Sequence, residues 1–193
     1  MGKQQKNDGN DITILDDIPT LEECYGEYPK PNKVNAANES LLGGGGIDGA
    51  IHRAAGRELL VECRTLRGCP TGEAKSTKAY RLPSKSKNIF LSRCSEASVL
   101  EIVKDEKLKS IAFCCISTGI YGYDNKNAAE VALKTVRDWM DSHPNEAREI
   151  ERVVFCVFLD KDVQIYETLL PRYFPKDEGQ SKPSDTQQET SSA

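Results

Sequence analysis

The chain has 193 residues, 26 basic against 30 acidic side chains, a net charge of −4 and 38% hydrophobic residues. That length makes one domain the default. The acidic balance gives a polyanion nothing to bind, so neither nucleic acid nor an anionic membrane surface is an expected partner. An anionic ligand would have to be held locally, by backbone amides or a helix end.

No apolar run approaches the ~20 residues of a membrane span. The opening MGKQQKNDGND has no apolar core of a secretory signal. The seven cysteines are an odd number without CxxC pairing, and several lie in apolar runs. They read as reduced thiols of an intracellular protein, in cytoplasm and/or nucleus, rather than as a disulfide framework. The two histidines are not spaced as ligands beside cysteines, so no metal is expected.

In chain order, residues 1–10 read as disordered, and Asp16 to Glu23 as a short helix with Pro19 near its start. YPKPNK, with two prolines, is extended or loop. These segments form a leader over residues 1–33. Then LLGGGG runs straight into a helical pattern: Ile47, Ala50, Ile51, Ala54, Ala55, Leu59 and Cys63 recur at spacings near three and four. Gly56 costs that helix about 1 kcal/mol relative to Ala, so a kink or break is expected there. Residues 67–88 read as loop, interrupted at the end by the short apolar patch Ile89-Phe90-Leu91. Val99, Ile102, Val103 and Leu108 mark a second helix, capped near Ser95 or Ser98.

Residues 110–116, SIAFCCI, are a continuous apolar run of strand length, as expected of a buried strand. STGIYGYD follows as a glycine-bearing loop. A third helix, capped at Asn125 or Asn127, turns Ala129, Ala132, Leu133, Val136 and Trp139 inward and ends at Pro144. RVVFCVFL is a second buried strand, and Asp160 opens a last helix. The tail over 176–193, rich in Ser, Gln, Lys, Asp and Thr, reads as disordered. Strand, helix, strand and helix alternate through the C-terminal half. This argues α/β architecture with a mainly parallel sheet, whose ligands sit beyond the carboxyl ends of the strands.

Two constellations could carry chemistry. In the first, Asn35-Ala36-Ala37-Asn38 precedes Gly43 to Gly46, then Asp48 and His52. Glycines at a helix start permit positive φ and bring backbone N–H groups close to a ligand, and the helix end adds about half a positive charge. Together they make a phosphate cradle that needs no lysine. No GK[ST] follows, which excludes a Walker loop. A flexible linker or tight turn is the plain alternative. Asp48 and His52, four apart, share one helix face; such a pair is also often structural. In the second constellation, Ser117-Thr118-Gly119-Ile120-Tyr121-Gly122-Tyr123 joins a buried strand to a helix. Its hydroxyls and glycines suit a diphosphate or ribose, although an ordinary βα turn has the same residues.

NAANESLLGGGGIDGAIHRAAG together with CISTGIYGY resembles the macro domain family, specifically its MacroD-type ADP-ribosyl hydrolase branch. The resemblance extends to CPTGEAK, YRLP and VVFCVFLDKDVQIY, and covers roughly residues 34–83 and 94–174. It implies a three-layer α/β/α sandwich over 34–175 and a cleft for ADP-ribose. It also implies hydrolysis of esters joining ADP-ribose to acidic side chains of proteins, or of O-acetyl-ADP-ribose, with no cofactor and as a monomer. By the same resemblance Asn38 positions the distal ribose, Asp48 orients or activates water, and His52 supports it. Gly44, Gly45, Gly46 and Ile47 line the phosphate and ribose side, with Asn35, Ala36 and Ala37 beside them. Ser117, Thr118, Gly119, Ile120 and Tyr121 wrap the diphosphate, Tyr123 flanks the distal ribose, and Gly122 belongs to the same ligand-binding loop. A binding module without turnover, and an inactive truncated variant, are the alternatives.

The match lapses twice. Before NAAN the family has a Gly-Asp-Ile-Thr strand and then an apolar strand. Here PKPNK occupies that place, and Asp11-Ile12-Thr13 lies 24 residues ahead of Asn35, about twice the family spacing. Asp11, the candidate for the adenine-binding aspartate, therefore falls in the leader. After Pro83 a core strand is also expected and SKSKN stands instead. The sheet should lack strands before residue 34 and near 84–93 and be weakened for it.

Overall fold

The computed structural model describes residues 11–14, 31–82, 88–92, 95–119 and 121–175. The elements in order are β1 (Asp11–Ile14), β2 (Asn32–Ala36), α1 (Gly46–Ala55), α2 (Arg57–Leu66), β3 (Ala74–Lys78), β4 (Asn88–Ser92), α3 (Glu96–Asp105), β5 (Ser110–Cys114), α4 (Asn125–Ser142), α5 (Pro144–Glu149), β6 (Arg152–Cys156) and α6 (Asp160–Tyr173). The sheet runs β1-β6-β5-β2-β4-β3. Every neighbouring pair is parallel except β3 and β4.

Helices cover both faces. On one, Phe113, Phe155 and Val153 pack with α3, α4 and α6 through Val99, Leu133, Val136 and Leu169. On the other, Ala37, Leu41, Ile89 and Leu91 pack with α1 and α2 through Ile51, Ala55, Leu59 and Cys63. This is the expected three-layer α/β/α sandwich. Strand alternation links the layers: Phe90 points into the first core while Ile89 and Leu91 point into the second, all three fully buried.

The strands expected to be missing are present. β1 lies wholly before residue 34, β2 begins at Asn32 and is buried between β5 and β4, and β4 forms within 84–93. Each is short, and β2 begins on polar residues. The buried Asn32 answers this with its own side chain: its Nδ2 donates to the Ser110 carbonyl at 3.3 Å and its Oδ1 accepts from Asn88 N at 3.4 Å. The leader is also revised. Asp11–Ile14 pairs in parallel with β6, as the edge strand of the sheet, and β2 starts at Asn32 rather than 34. The disordered start, the helix over 16–23 and the tail from 176 lie outside the described residues.

Two local readings change as well. The loop over 67–88 contains β3, an edge strand of sequence AKSTK whose polarity hid it and which exists by pairing with β4. Helix α4 is capped not by an asparagine but by Asp124, whose carboxylate accepts from Asn127 N at 2.9 Å. Gly56 does break the helix, at φ 86° and ψ −179°, separating α1 from α2.

Candidate functional site

Because β2, β5 and β6 are parallel neighbours, the loops leaving their carboxyl ends lie side by side. They are the segments 37–45, 115–124 and 157–159. The glycine run and the STGIYG turn thus share one edge, as the sequence expectation requires.

The first loop is built around two asparagines. Asn35, wholly buried at the end of β2, donates through Nδ2 to Asp48 Oδ1 at 2.8 Å. Asn38 donates through Nδ2 to the Gly43 carbonyl at 2.8 Å, while its Oδ1 accepts from Ser40 N and Ser40 Oγ. One amide thereby sets the aspartate and the other sets the glycines. Gly43, at φ 87°, lies against the His52 ring: a Cβ there would stand 3.4 Å from His52 Cγ. At Gly44 a Cβ would meet Asn38 Nδ2 at 3.0 Å and Asp48 Oδ2 at 3.3 Å. Any side chain at 44 would wedge between the two polar groups, so here the glycine keeps both reachable.

Helix α1 starts on Gly46, and its N-cap, Gly45, has no side chain to satisfy the first-turn N–H groups. Asp48 lies in that first turn, only 3% exposed. Its Oδ1 is held by Asn35 and lies 3.5 Å from His52 Nε2. That contact is within charge-pairing range but does not meet hydrogen-bond geometry, since His52 Nε2 has no hydrogen-bond partner. Asp48 Oδ2 has none either. A buried carboxylate oxygen left without a donor is costly in a purely structural role.

The second loop turns on Ser117, at φ 67°, and Gly122, at φ 62°. Tyr123 N donates to the Ser117 carbonyl at 3.0 Å and closes the turn, and Thr118 Oγ1 donates to the Cys115 carbonyl at 3.4 Å. A Cβ at Gly119 or Gly122 would meet nothing within 4 Å, so this face is open. Behind it Asn125 Nδ2 donates to Asp162 Oδ1, tying the start of α4 to the first turn of α6.

The structure brings Asn38, Asp48, His52 and Gly44 to Gly46 into one cluster, with Ser117, Thr118, Gly119, Tyr121, Gly122 and Tyr123 on the adjoining loop. Ile120 lies outside the described residues. The Asn35 side chain is fully enclosed and holds Asp48 through Nδ2, while its Oδ1 has no hydrogen-bond partner, and Ala37 is packed into the second core at 2% exposure. Both side chains lie beneath the loop, and Ala36 at the strand end is half-buried. Asp11 pairs with Arg152 at the amino end of β6, opposite the loop edge, so its position in the sheet does not bring it to the site.

Sequence reasoning missed Phe158, which it had absorbed into the last strand. Its ring is 83% exposed just past the end of β6, on the same edge as both loops. No local signal marked it: the apolar run continues from Val153 to Leu159, and only the end of β6 at Cys156 leaves this aromatic outside the core. Among the described residues no group of His, Cys, Asp or Glu is arranged to hold a metal ion, and no helix is long and apolar enough to cross a membrane.

Comparison with known proteins agrees with this fold. The chain is 49% identical over 158 residues to the ADP-ribose glycohydrolase MACROD1 of Rattus norvegicus, covering 74% of this chain and 60% of that protein. It is 44% identical over 170 residues to the ADP-ribose glycohydrolase MACROD2 of Homo sapiens, covering 80% of this chain and 39% of that one. The chain thus spans less than two thirds of these curated relatives' length. Among solved structures, the Trypanosoma brucei macrodomain in complex with ADP-ribose superposes with a TM-score of 0.69 at 32% identity, over 84% of this chain and 69% of that one. The macro domain family model matches residues 34–132. A match over half the chain, joined to the shared fold, makes this protein a member of the macro domain family.

Proposed function

We propose that the chain binds ADP-ribose along the carboxyl edge and hydrolyses the ester linking it to an acidic side chain of a protein, or to acetate in O-acetyl-ADP-ribose. The reading rests above all on Asp48. It is a buried carboxylate with one oxygen held by Asn35 and the other unpaired beside Gly44. The named activity of the MACROD1 and MACROD2 relatives and the ADP-ribose-bound macrodomain support it further.

Each part has a physical role. The glycines and the uncapped start of α1 offer backbone N–H groups to the diphosphate. The open STGIYG turn covers it from the other side. Phe158 offers a flat apolar face to the adenine, an assignment its exposure and edge position suggest. Asn38 and Tyr123 bracket the distal ribose. A water held at Asp48 Oδ2 gives up a proton as its oxygen attacks the ester. The sugar–acyl link then breaks, the released sugar oxygen takes that proton, and ADP-ribose departs with the free carboxylic acid, which ionises by giving its own proton to solvent. His52 holds the aspartate and the Gly43 backbone in register. The free cysteines among the described residues support action in a reducing, intracellular compartment.

The test is turnover of an ester-linked ADP-ribosylated protein by the parent and by Asp48→Ala. The variant should lose about 10²–10⁴-fold in rate while its melting point still rises with ADP-ribose. Equal rates for the two proteins would remove Asp48 from the mechanism. Ligand-induced stabilisation without turnover in the parent would make the chain a reader.

A further inference from the structure

A cleft of about 460 Å³ lies between the Asn38 loop and the end of α2, lined by residues to which the proposed binding of ADP-ribose gives no role. One wall is that loop, through Ser40 and Leu42, and the other is the end of α2, through Arg64, Arg67 and Gly68. The buried Cys63 of α2 also lines the cleft. The walls are pinned together. Cys69 N donates to the Glu39 carbonyl at 2.8 Å, and Gly68, at φ 83°, approaches so closely that a Cβ would stand 2.7 Å from that oxygen. Ser40 belongs to both sites, since it lines the cleft and holds Asn38 Oδ1.

The charge of this cleft is distinctive. Arg64 and Arg67 are exposed, and among the described residues neither guanidinium has an acidic partner. Lys75, whose Nζ donates to the Leu66 carbonyl at 2.9 Å, adds a third cation at the same helix end. Glu39 is the one acid in the lining. Cations at a helix C-terminus answer its dipole, but two arginines are more than that requires, and they face a cavity beside the catalytic loop. Leu42, 46% exposed, adds an apolar contact.

We infer that this cleft receives the protein side of the substrate: an acidic peptide segment flanking the modified side chain, with Arg64 and Arg67 pairing its carboxylates. The inference rests on the proposed hydrolysis and deepens it by naming what lies on the acyl side of the ester. Guanidinium forks suit carboxylates bidentately, and exposed charges of this kind set specificity and encounter more than chemistry.

The experiment compares two substrates, O-acetyl-ADP-ribose and a peptide ADP-ribosylated on one glutamate with acidic neighbours, in the parent and in Arg64→Glu/Arg67→Glu. The variant should lose about tenfold in kcat/KM on the peptide, mostly in KM, and stay within twofold on O-acetyl-ADP-ribose. The parent alone should favour the acidic peptide over one with lysine neighbours, a readout independent of how the variant folds. Equal peptide rates in parent and variant, equal loss on both substrates, or no preference by the parent would overturn the inference while leaving the hydrolase reading intact. A parent that turns over neither substrate would overturn both.

Discussion

Gly49→Ala isolates the packing that holds the glycine run. Gly49 lies buried in α1, and a Cβ on it would stand 2.3 Å from the Gly44 carbonyl oxygen. No rotamer relieves that contact, so the Gly44 backbone must retreat by roughly 1 Å to reach ordinary van der Waals distance. Two effects on stability oppose each other. Alanine favours the helix by about 1 kcal/mol, and overpacking costs about 1–3 kcal/mol. The net is about 0–2 kcal/mol of destabilisation, a fall in Tm of about 0–8 °C for a chain of this size. Function should suffer more. Gly44 sits against both Asn38 Nδ2 and Asp48 Oδ2, and a shift of about 1 Å near the reacting groups costs about 10²-fold. Ala50→Gly is the control. Ala50 is exposed on the same helix, so this variant should lose about 1 kcal/mol and keep its turnover. Calorimetry and ester hydrolysis, measured on both, should show stability losses of similar size and a loss of turnover in Gly49→Ala alone. A Gly49→Ala protein that melts higher than the parent and hydrolyses within twofold of it would refute the claim that α1 fixes the glycine loop.

Three further outcomes are expected. Phe90→Ala empties a fully buried site where β4 meets the first core; it should cost about 3–5 kcal/mol and lower Tm by about 6–20 °C, whereas a Tm within 2 °C of the parent would place β4 outside the core. Burial pushes the Cys63 thiol up to about 11 and the Cys114 and Cys115 thiols up to about 12. All three should resist iodoacetamide at pH 8 in the native protein and react once unfolded in guanidinium, with site occupancy read by peptide mass spectrometry; native labelling at the rate of a free thiol would contradict their packing. Burial also raises the Glu96 carboxyl above its ordinary value. A carboxyl raised on folding favours the folded state when protonated, so that contribution is lost as pH rises from the unfolded value through the folded one. Glu96→Gln should therefore raise Tm at pH 7 and give a gain that shrinks toward pH 4, and a gain independent of pH would remove desolvation as its cause.

The helices were legible because their burial is one-sided and periodic. Ile51, Ala55, Leu59 and Cys63 are all buried in the second core, and residues 129, 132, 133, 136 and 139 all face the first. Strands β5 and β6 were legible because a strand covered on both faces is continuously apolar. Strands β2, β3 and β4 were not. Asn32 and Lys33 are polar residues 9% and 7% exposed in a central strand, and no local pattern announces that. They are strand because β5 and β4 present ladders on either side, and tertiary pairing outweighs intrinsic preference.

The site divides in the same way. The polyglycine helix start, and Asp48 and His52 one turn apart, are set by chain order and helix period alone, because contacts within a few residues are enforced by backbone geometry. The fold alone decides that Asn35 faces Asp48 across 13 positions, that Phe158 joins the loop edge, and that Arg64 and Arg67 border a cleft beside Asn38. Those distances depend on which strands become neighbours. Strand order is a property of the packed sheet, in which the burial of two cores selects one arrangement from many that the local signals permit.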